Sequence, residues 1–213
     1  MLGVNTYIVP CSEAQGFSRV FIVDPGGDAD FIIEKTEDSE VAGIVLTHGH
    51  FDHCGAVKEL KKRYKNAPLC IHKGDLAYTG KTAYDTHRED FLKLGALYLI
   101  DELQDSFYDF PEADIVLDTD EVLSFAPEWR LIHTSGHSPG SICLYHTSGH
   151  LLSGDTLFAS GIGRTDLRGG SFEQLQKSLE RLFELPGGTK VYPGHGGFTS
   201  IDREKLFHEK CGF

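Results

Sequence analysis

Residues 47–53 read Thr47-His48-Gly49-His50-Phe51-Asp52-His53. The stretch Ala42–Thr47 leading into them is almost continuously apolar, which predicts a buried β-strand that ends where the histidines begin. The loop after that strand offers three imidazoles and a carboxylate within six residues. On extended backbone, side chains two apart project to the same side, so His48 and His50 form one group. Asp52 and His53, at the turn into a following helix, form a second. Imidazole is a ligand for zinc, iron, copper and nickel, and a carboxylate adds a hard oxygen donor.

Three later segments repeat this style, each placing one donor residue beside glycine just after a predicted strand. They are Thr134-Ser135-Gly136-His137-Ser138-Pro139-Gly140, Ser153-Gly154-Asp155-Thr156 and Pro193-Gly194-His195-Gly196-Gly197. Together the four segments hold five histidines and two aspartates, a donor set for two metal ions. The expected distribution gives His48, His50 and His137 to the first ion and Asp52, His53 and His195 to the second. Asp155 bridges them, because a carboxylate has two oxygens to share. Asp24 follows a strand and is either the hydrogen-bond partner of a ligand imidazole or a plain turn residue before Pro25-Gly26-Gly27. His72, His87, His133, His146, His150 and His208 read as non-ligands. Cys54 reads as packing, Lys58–Lys65 as a solvated helix face, and Arg164 with Asp166 either as support for their loop or as residues facing substrate.

The rest of the composition is that of a globular protein. The chain has 213 residues, 40% of them hydrophobic, and is expected to form a single domain over 1–213. Its net charge of −12 argues against a nucleic-acid partner, which calls for a basic face. No apolar run approaches the ~20 residues needed to span a bilayer, and the N-terminus lacks the pattern of a signal peptide. Five widely spaced cysteines without a CxxC pair read as free thiols in a reducing cytoplasm.

Strands and helices alternate along the chain. Val4–Val9, Arg19–Val23, Leu69–His72, Ile115–Leu117, Glu121–Phe125, Trp129–Thr134, Ser141–His146, Leu151–Ser153 and Lys190–Tyr192 read as strands. Asp28 is placed to cap a short helix through Lys35, and Cys54–Lys65 and Asp202–His208 read as helices. Ser171–Glu184 is the clearest helix: Phe172, Leu175, Leu179, Leu182 and Phe183 share one face, and Ser171 with Gln174 matches a capping box. Residues 73–112, rich in acids and aromatics, read either as a helical excursion or as a flap over the site. Two mixed sheets with helices outside satisfy this pattern, an α/β (α+β) architecture.

The motifs Thr47–His53, Gly136–Ser141, Gly154–Phe158, Gly163–Leu167 and Pro193–Gly196, with Val23–Gly27, resemble the metallo-β-lactamase superfamily. Within it they are similar to the glyoxalase II-like (hydroxyacylglutathione hydrolase-like) branch, in its short single-domain bacterial type. The resemblance runs from about residue 4 to 205. It implies a four-layer αββα sandwich with two divalent metal ions at one edge, zinc first, with iron or manganese suited to the same donors. It implies hydrolysis of a small-molecule thioester such as S-D-lactoylglutathione, with water acidified by the metals as nucleophile and Asp52 as catalytic proton acceptor. An iron-dependent glutathione persulfide dioxygenase, using His48, His137 and Asp155, is the alternative. A metal-stabilised protein without catalytic activity is a further one.

Overall fold

The computed structural model describes residues 3–14, 16–96, 98, 104, 106–119 and 121–211. Five strands form the first sheet in the order β1 (Tyr7–Pro10), β2 (Arg19–Val23), β3 (Glu40–Val45), β4 (Leu69–His72) and β5 (Ile115–Leu117). The β1–β2 pair is antiparallel and the rest are parallel. The second sheet holds β6 (Val122–Leu123), β7 (Ala126–His133), β8 (Ile142–His146), β9 (His150–Gly154), β12 (Lys190–Pro193) and β13 (Thr199–Ser200). A two-stranded ribbon, β10 (Leu157–Phe158) and β11 (Gly161–Ile162), stands apart. Six α-helices are described: α1 (Ala29–Lys35), α2 (Phe51–Cys54), α3 (Val57–Arg63), α4 (Ala83–Leu94), α5 (Phe172–Leu182) and α6 (Ile201–Cys211).

The period-2 alternation of the strands sorts their side chains into three apolar layers. Val20, Ile22, Ile44, Leu69 and Ile71 face outward from the first sheet onto Ile32 of α1, Val57 and Leu60 of α3, and Phe91 of α4. The intervening residues Phe21, Val23 and Val45 face the other way and meet Leu131, Ile142, Leu144 and Leu152 of the second sheet. Ile132, Cys143, Tyr145, Leu151 and Val191 cover the outside of that sheet beneath Leu175, Leu179 and Leu182 of α5 and Ile201 of α6. The result is helix, sheet, sheet, helix, as the sequence pattern and the family resemblance imply.

Strand direction places the donors. β7 and β9 both run antiparallel to β8, and β12 is parallel to β9, so β7, β9 and β12 point the same way. Asp24, His48–His53, His137, Asp155 and His195 all follow the C-terminal ends of co-directed strands within one sheet or the other. The two sheets are tied there by Ile142 N–H donating to Thr47 O at 2.8 Å.

Several local expectations differ from the structure. Asp28 makes no capping bond and sits in the left-handed region at φ 52°. The helix expected over 54–65 is broken at Gly55-Ala56, because the Pro25–Gly27 loop packs into it and Ala56 N–H donates to Pro25 O at 2.9 Å. The first strand begins at Tyr7, not Val4, because Asn5 N–H and side chain are bound instead to the loop around His195. Ser171 does cap α5, its hydroxyl accepting from Gln174 N–H. The cysteines are free, with Cys11, Cys54, Cys70 and Cys143 buried. Among the described residues no helix is long and apolar enough to cross a membrane.

Gly43 on β3 lets Phe125 pack close against the strand: a Cβ there would lie 2.4 Å from the Phe125 ring. Gly43→Ala is expected to destabilise the protein by about 1–3 kcal/mol in urea unfolding, the range for overpacking a core. Adding Phe125→Leu should return part of that loss, a coupling that independent sites would not show.

Candidate metal centre

Two groups of donors converge at the shared edge of the sheets. His48, His50 and His137 form one buried group; Asp52, His53 and His195 form a second, each group having its donor atoms within 4.8 Å of one another. In the first, His137 Nε2 lies 3.2 Å from His48 Nε2 and 2.9 Å from His50 Nδ1. In the second, His195 Nε2 lies 3.2 Å from His53 Nε2 and 3.3 Å from Asp52 Oδ2. Asp155 stands between them, with Oδ2 at 3.4 Å from His195 Nε2 and 3.7 Å from His137 Nε2, and Oδ1 at 3.3 Å from His53 Nε2. Ligand atoms about 2.0–2.1 Å from a tetrahedral ion lie about 3.3 Å apart, so these separations suit common ions at their centres.

The orientation of each ring is set from outside. His53 Nδ1–H donates to Asp24 Oδ2 at 2.9 Å, His137 Nδ1–H to Arg164 O at 2.7 Å and His195 Nδ1–H to Gly3 O at 2.8 Å. The Thr47 hydroxyl donates to Asp24 Oδ2 at 2.6 Å, so its oxygen accepts from His48 Nδ1–H at 3.1 Å. Each of these four rings therefore turns Nε2 inward, the arrangement in which a neighbouring acceptor fixes the tautomer of a metal-binding imidazole. His50 reverses the choice, with Nδ1 inward and Nε2 buried without a hydrogen-bond partner. Gly194 completes the cradle, since a Cβ there would lie 2.2 Å from Asp155 Oδ1 and 2.5 Å from His53 Cε1.

Asp24 also comes within reach of His48 and His53. Its oxygens are already committed to Thr47 N–H at 2.7 Å, the Thr47 hydroxyl and His53. Its place is therefore behind the imidazoles, and its positive φ of 50° aims the carboxylate there. Arg164 and Asp166 form a bidentate surface pair, and their loop supports His137 through the Arg164 carbonyl. Among the described residues, His72, His87, His133, His146, His150 and His208 belong to none of the donor groups.

One functional position escaped the sequence reading. Asp75 is fully buried and accepts from Gly49 N–H at 2.9 Å, the Ser138 hydroxyl at 2.6 Å and Gly140 N–H at 2.7 Å. It clamps the loop of His48 and His50 to the loop of His137. The available signal was its setting, Lys73-Gly74-Asp75 just after β4, which has the same acid-beside-glycine style as the other loops. Tyr78 packs edge-on to His50, with ring centroids 5.7 Å apart, and its phenol donates to Asp90 at 2.6 Å. In residues 73–112, Phe91, Phe107 and Phe110 are buried in the core outside the first sheet.

The site's electrostatics divide by donor group. Burial and the surrounding imidazoles hold His48 and His50 well below the usual histidine value, and burial lowers His137. Burial also opposes the charge of His53, but Asp24 and Asp155 outweigh it and raise that ring well above its usual value. Asp155 and Asp52 raise His195 to about 10. Burial disfavours the Asp155 carboxylate, yet its bonds to His195 and His53 keep it ionised far below the usual range.

With this geometry in hand, the comparisons with known proteins become specific. Residues 2–195 match the model of the metallo-beta-lactamase superfamily, and the chain belongs to that superfamily. It is 31% identical to "Hydroxyacylglutathione hydrolase GloC" of Haemophilus influenzae, over 86% of this chain and 83% of that protein. The crystal structure of the BLEG-1 B3 metallo-beta-lactamase is similar at a TM-score of 0.76 and 32% identity, covering 96% of this chain and 94% of that one. That of TTHA1623 in a di-iron-bound form is similar at a TM-score of 0.76 and 31% identity, covering 96% and 93%.

Two outcomes are expected. In the metal-free protein Asp24, Asp155 and Asp52 favour the protonated forms of His53 and His195, so an incoming ion competes with protons there. Zinc affinity measured by chelator competition should therefore rise between pH 6.5 and 8.5, by up to about tenfold per unit for each proton displaced. Asp75→Ala takes the acceptor from the buried Gly49 and Gly140 N–H groups, while the Ser138 hydroxyl keeps Ser141, and should cost about 2 kcal/mol or more in urea unfolding, with less bound metal after dialysis.

Proposed function

We propose that this member of the superfamily is a thioester hydrolase that works with two divalent metal ions. The observation that carries the reading is Asp155, whose carboxylate lies within 3.7 Å of nitrogens from both donor groups. His48, His50 and His137 would hold one ion, Asp52, His53 and His195 the other, with Asp155 common to both. Such ions supply Lewis acidity, which makes hydroxide available near pH 7 and offsets charge developing on the carbonyl oxygen and the leaving thiolate.

The chain's own residues do the rest. Asp24, Thr47, Arg164 O and Gly3 O fix the rings, so the donor atoms need no reorganisation as charge develops. Asp52, partly exposed beside His195, is the nearest carboxylate able to accept the proton given up by water. A thioester suits this machinery because thiolate leaves without prior protonation. Similarity to a hydroxyacylglutathione hydrolase supports an acylglutathione as substrate. Similarity to a di-iron-bound structure makes iron a candidate beside zinc.

The test is loss of thioester absorbance from S-D-lactoylglutathione, run anaerobically on protein of measured metal content. Turnover that falls at least 100-fold in His53→Ala, with metal content reduced towards one ion per chain, is expected. Absence of thioester turnover in protein carrying two ions overturns the reading, and a β-lactam run in parallel tests the other activity named among the similar proteins.

A further inference from the structure

A cavity of about 620 Å³ adjoins the metal centre and has no part in the reading above. It lies between the N-terminal segment, the Pro25–Gly27 loop, α1 and α2. Asp52 and Gly3 are both in its wall, and the Gly3 carbonyl holds His195, so one end of the cavity meets the second donor group.

Three phenylalanines line it. Phe31 of α1 is 53% exposed and lines the cavity with the half-buried Phe51 and the buried Ile32 and Phe107. The acids of the cavity lining face it directly, while Lys35 stands outside the lining with its Nζ 4.8 Å from the Phe31 ring centre. The charged residues lining it are Asp28 and Asp52, and no lysine, arginine or histidine is among the described lining residues. Two of the polar side chains lining it are committed elsewhere: the Asn5 amide donates to Pro193 O at 3.0 Å and Gly196 O at 2.9 Å, and the Thr6 hydroxyl to Asp24 O at 2.8 Å. A glutathionyl arm carries two carboxylates. Even with its single ammonium it remains a net anion, which two acids in the wall disfavour against an uncharged occupant. The volume lies within the roughly 300–1,000 Å³ of sites for drug-sized molecules and far exceeds what a lactoyl group fills.

We propose that this cavity is the acyl-arm subsite, and that the preferred substrates are thioesters of large, uncharged, apolar acyl groups. The proposal rests on the thioester reading, and its test separates the two. The metal-loaded enzyme is assayed with S-phenylacetylglutathione and S-acetylglutathione, which share a thiol and differ in the acyl arm. Phenylacetyl should be favoured at least tenfold in kcat/KM. Phe31→Arg, a change at an exposed position, should cut that value at least tenfold through KM and alter the acetyl value less than twofold. Phe31→Ala should fall between. No acyl preference, or an equal loss on both substrates in a folded variant, overturns the proposal.

Phenylacetamide, which contains no thioester, is titrated calorimetrically into both proteins. Binding that Phe31→Arg weakens at least tenfold supports the subsite even where no thioester is cleaved, and in that case the thioester reading alone fails. Binding that is absent, or equal in both proteins, overturns the subsite whatever the activity.

Discussion

Five imidazoles turn a ring nitrogen into one small volume, four of them buried, and hydrogen bonds among those nitrogens cannot satisfy them all. That constraint organises the structure. A lone pair facing another lone pair at about 3 Å is unfavourable unless a cation or proton lies between them. The fold holds the rings there nevertheless, through acceptors drawn from four separate segments: Asp24, Thr47, Arg164 and Gly3. Asp155 adds the negative charge that makes the assembly hospitable to cations.

The two apolar layers flanking the first sheet, and the third outside the second, keep those segments in register. Thr47 shows how closely support and site are joined. Its carbonyl receives Ile142 N–H from the opposite sheet, its amide and hydroxyl bind Asp24, and its oxygen orients His48. Asp75 does the same between the loops of His50 and His137. The bonds from Gly49, Ser138 and Gly140 offset part of the cost of burying the Asp75 carboxylate, and burial still raises it above its usual value.

Much of this was legible in the sequence because the information is local. The run into Thr47 marks a strand, the spacing of His48 and His50 marks one face, and the donor-beside-glycine style marks each later loop. The layered fold follows from the alternation of sheet and helix patterns. What escaped depends on contacts between distant segments. Gly55 and Ala56 lie inside an apparent helix that is broken only because the Pro25–Gly27 loop arrives there. Asp28 has the identity of a helix cap, yet the backbone around Pro25–Gly27 puts it in the left-handed region, where it cannot cap. Asp75 carries no periodic signal, and its role exists only once Gly49, Ser138 and Gly140 surround it.

The short segment around Gly3 and Asn5 has its own consequence for how the protein is made. Asn5 is hydrogen-bonded to Gly194 and Gly196, and Gly3 to His195, so this stretch waits on the ribosome for a segment 192 residues further along the chain. The group that includes His137 can be assembled once the eighth strand is out; the group that includes His195 cannot. All three histidines of the first group are in the chain by residue 137, whereas the second group waits for His195. A nascent chain would meet the cell's metal pool first through that nitrogen-rich half, where the softer, imidazole-preferring ions bind best.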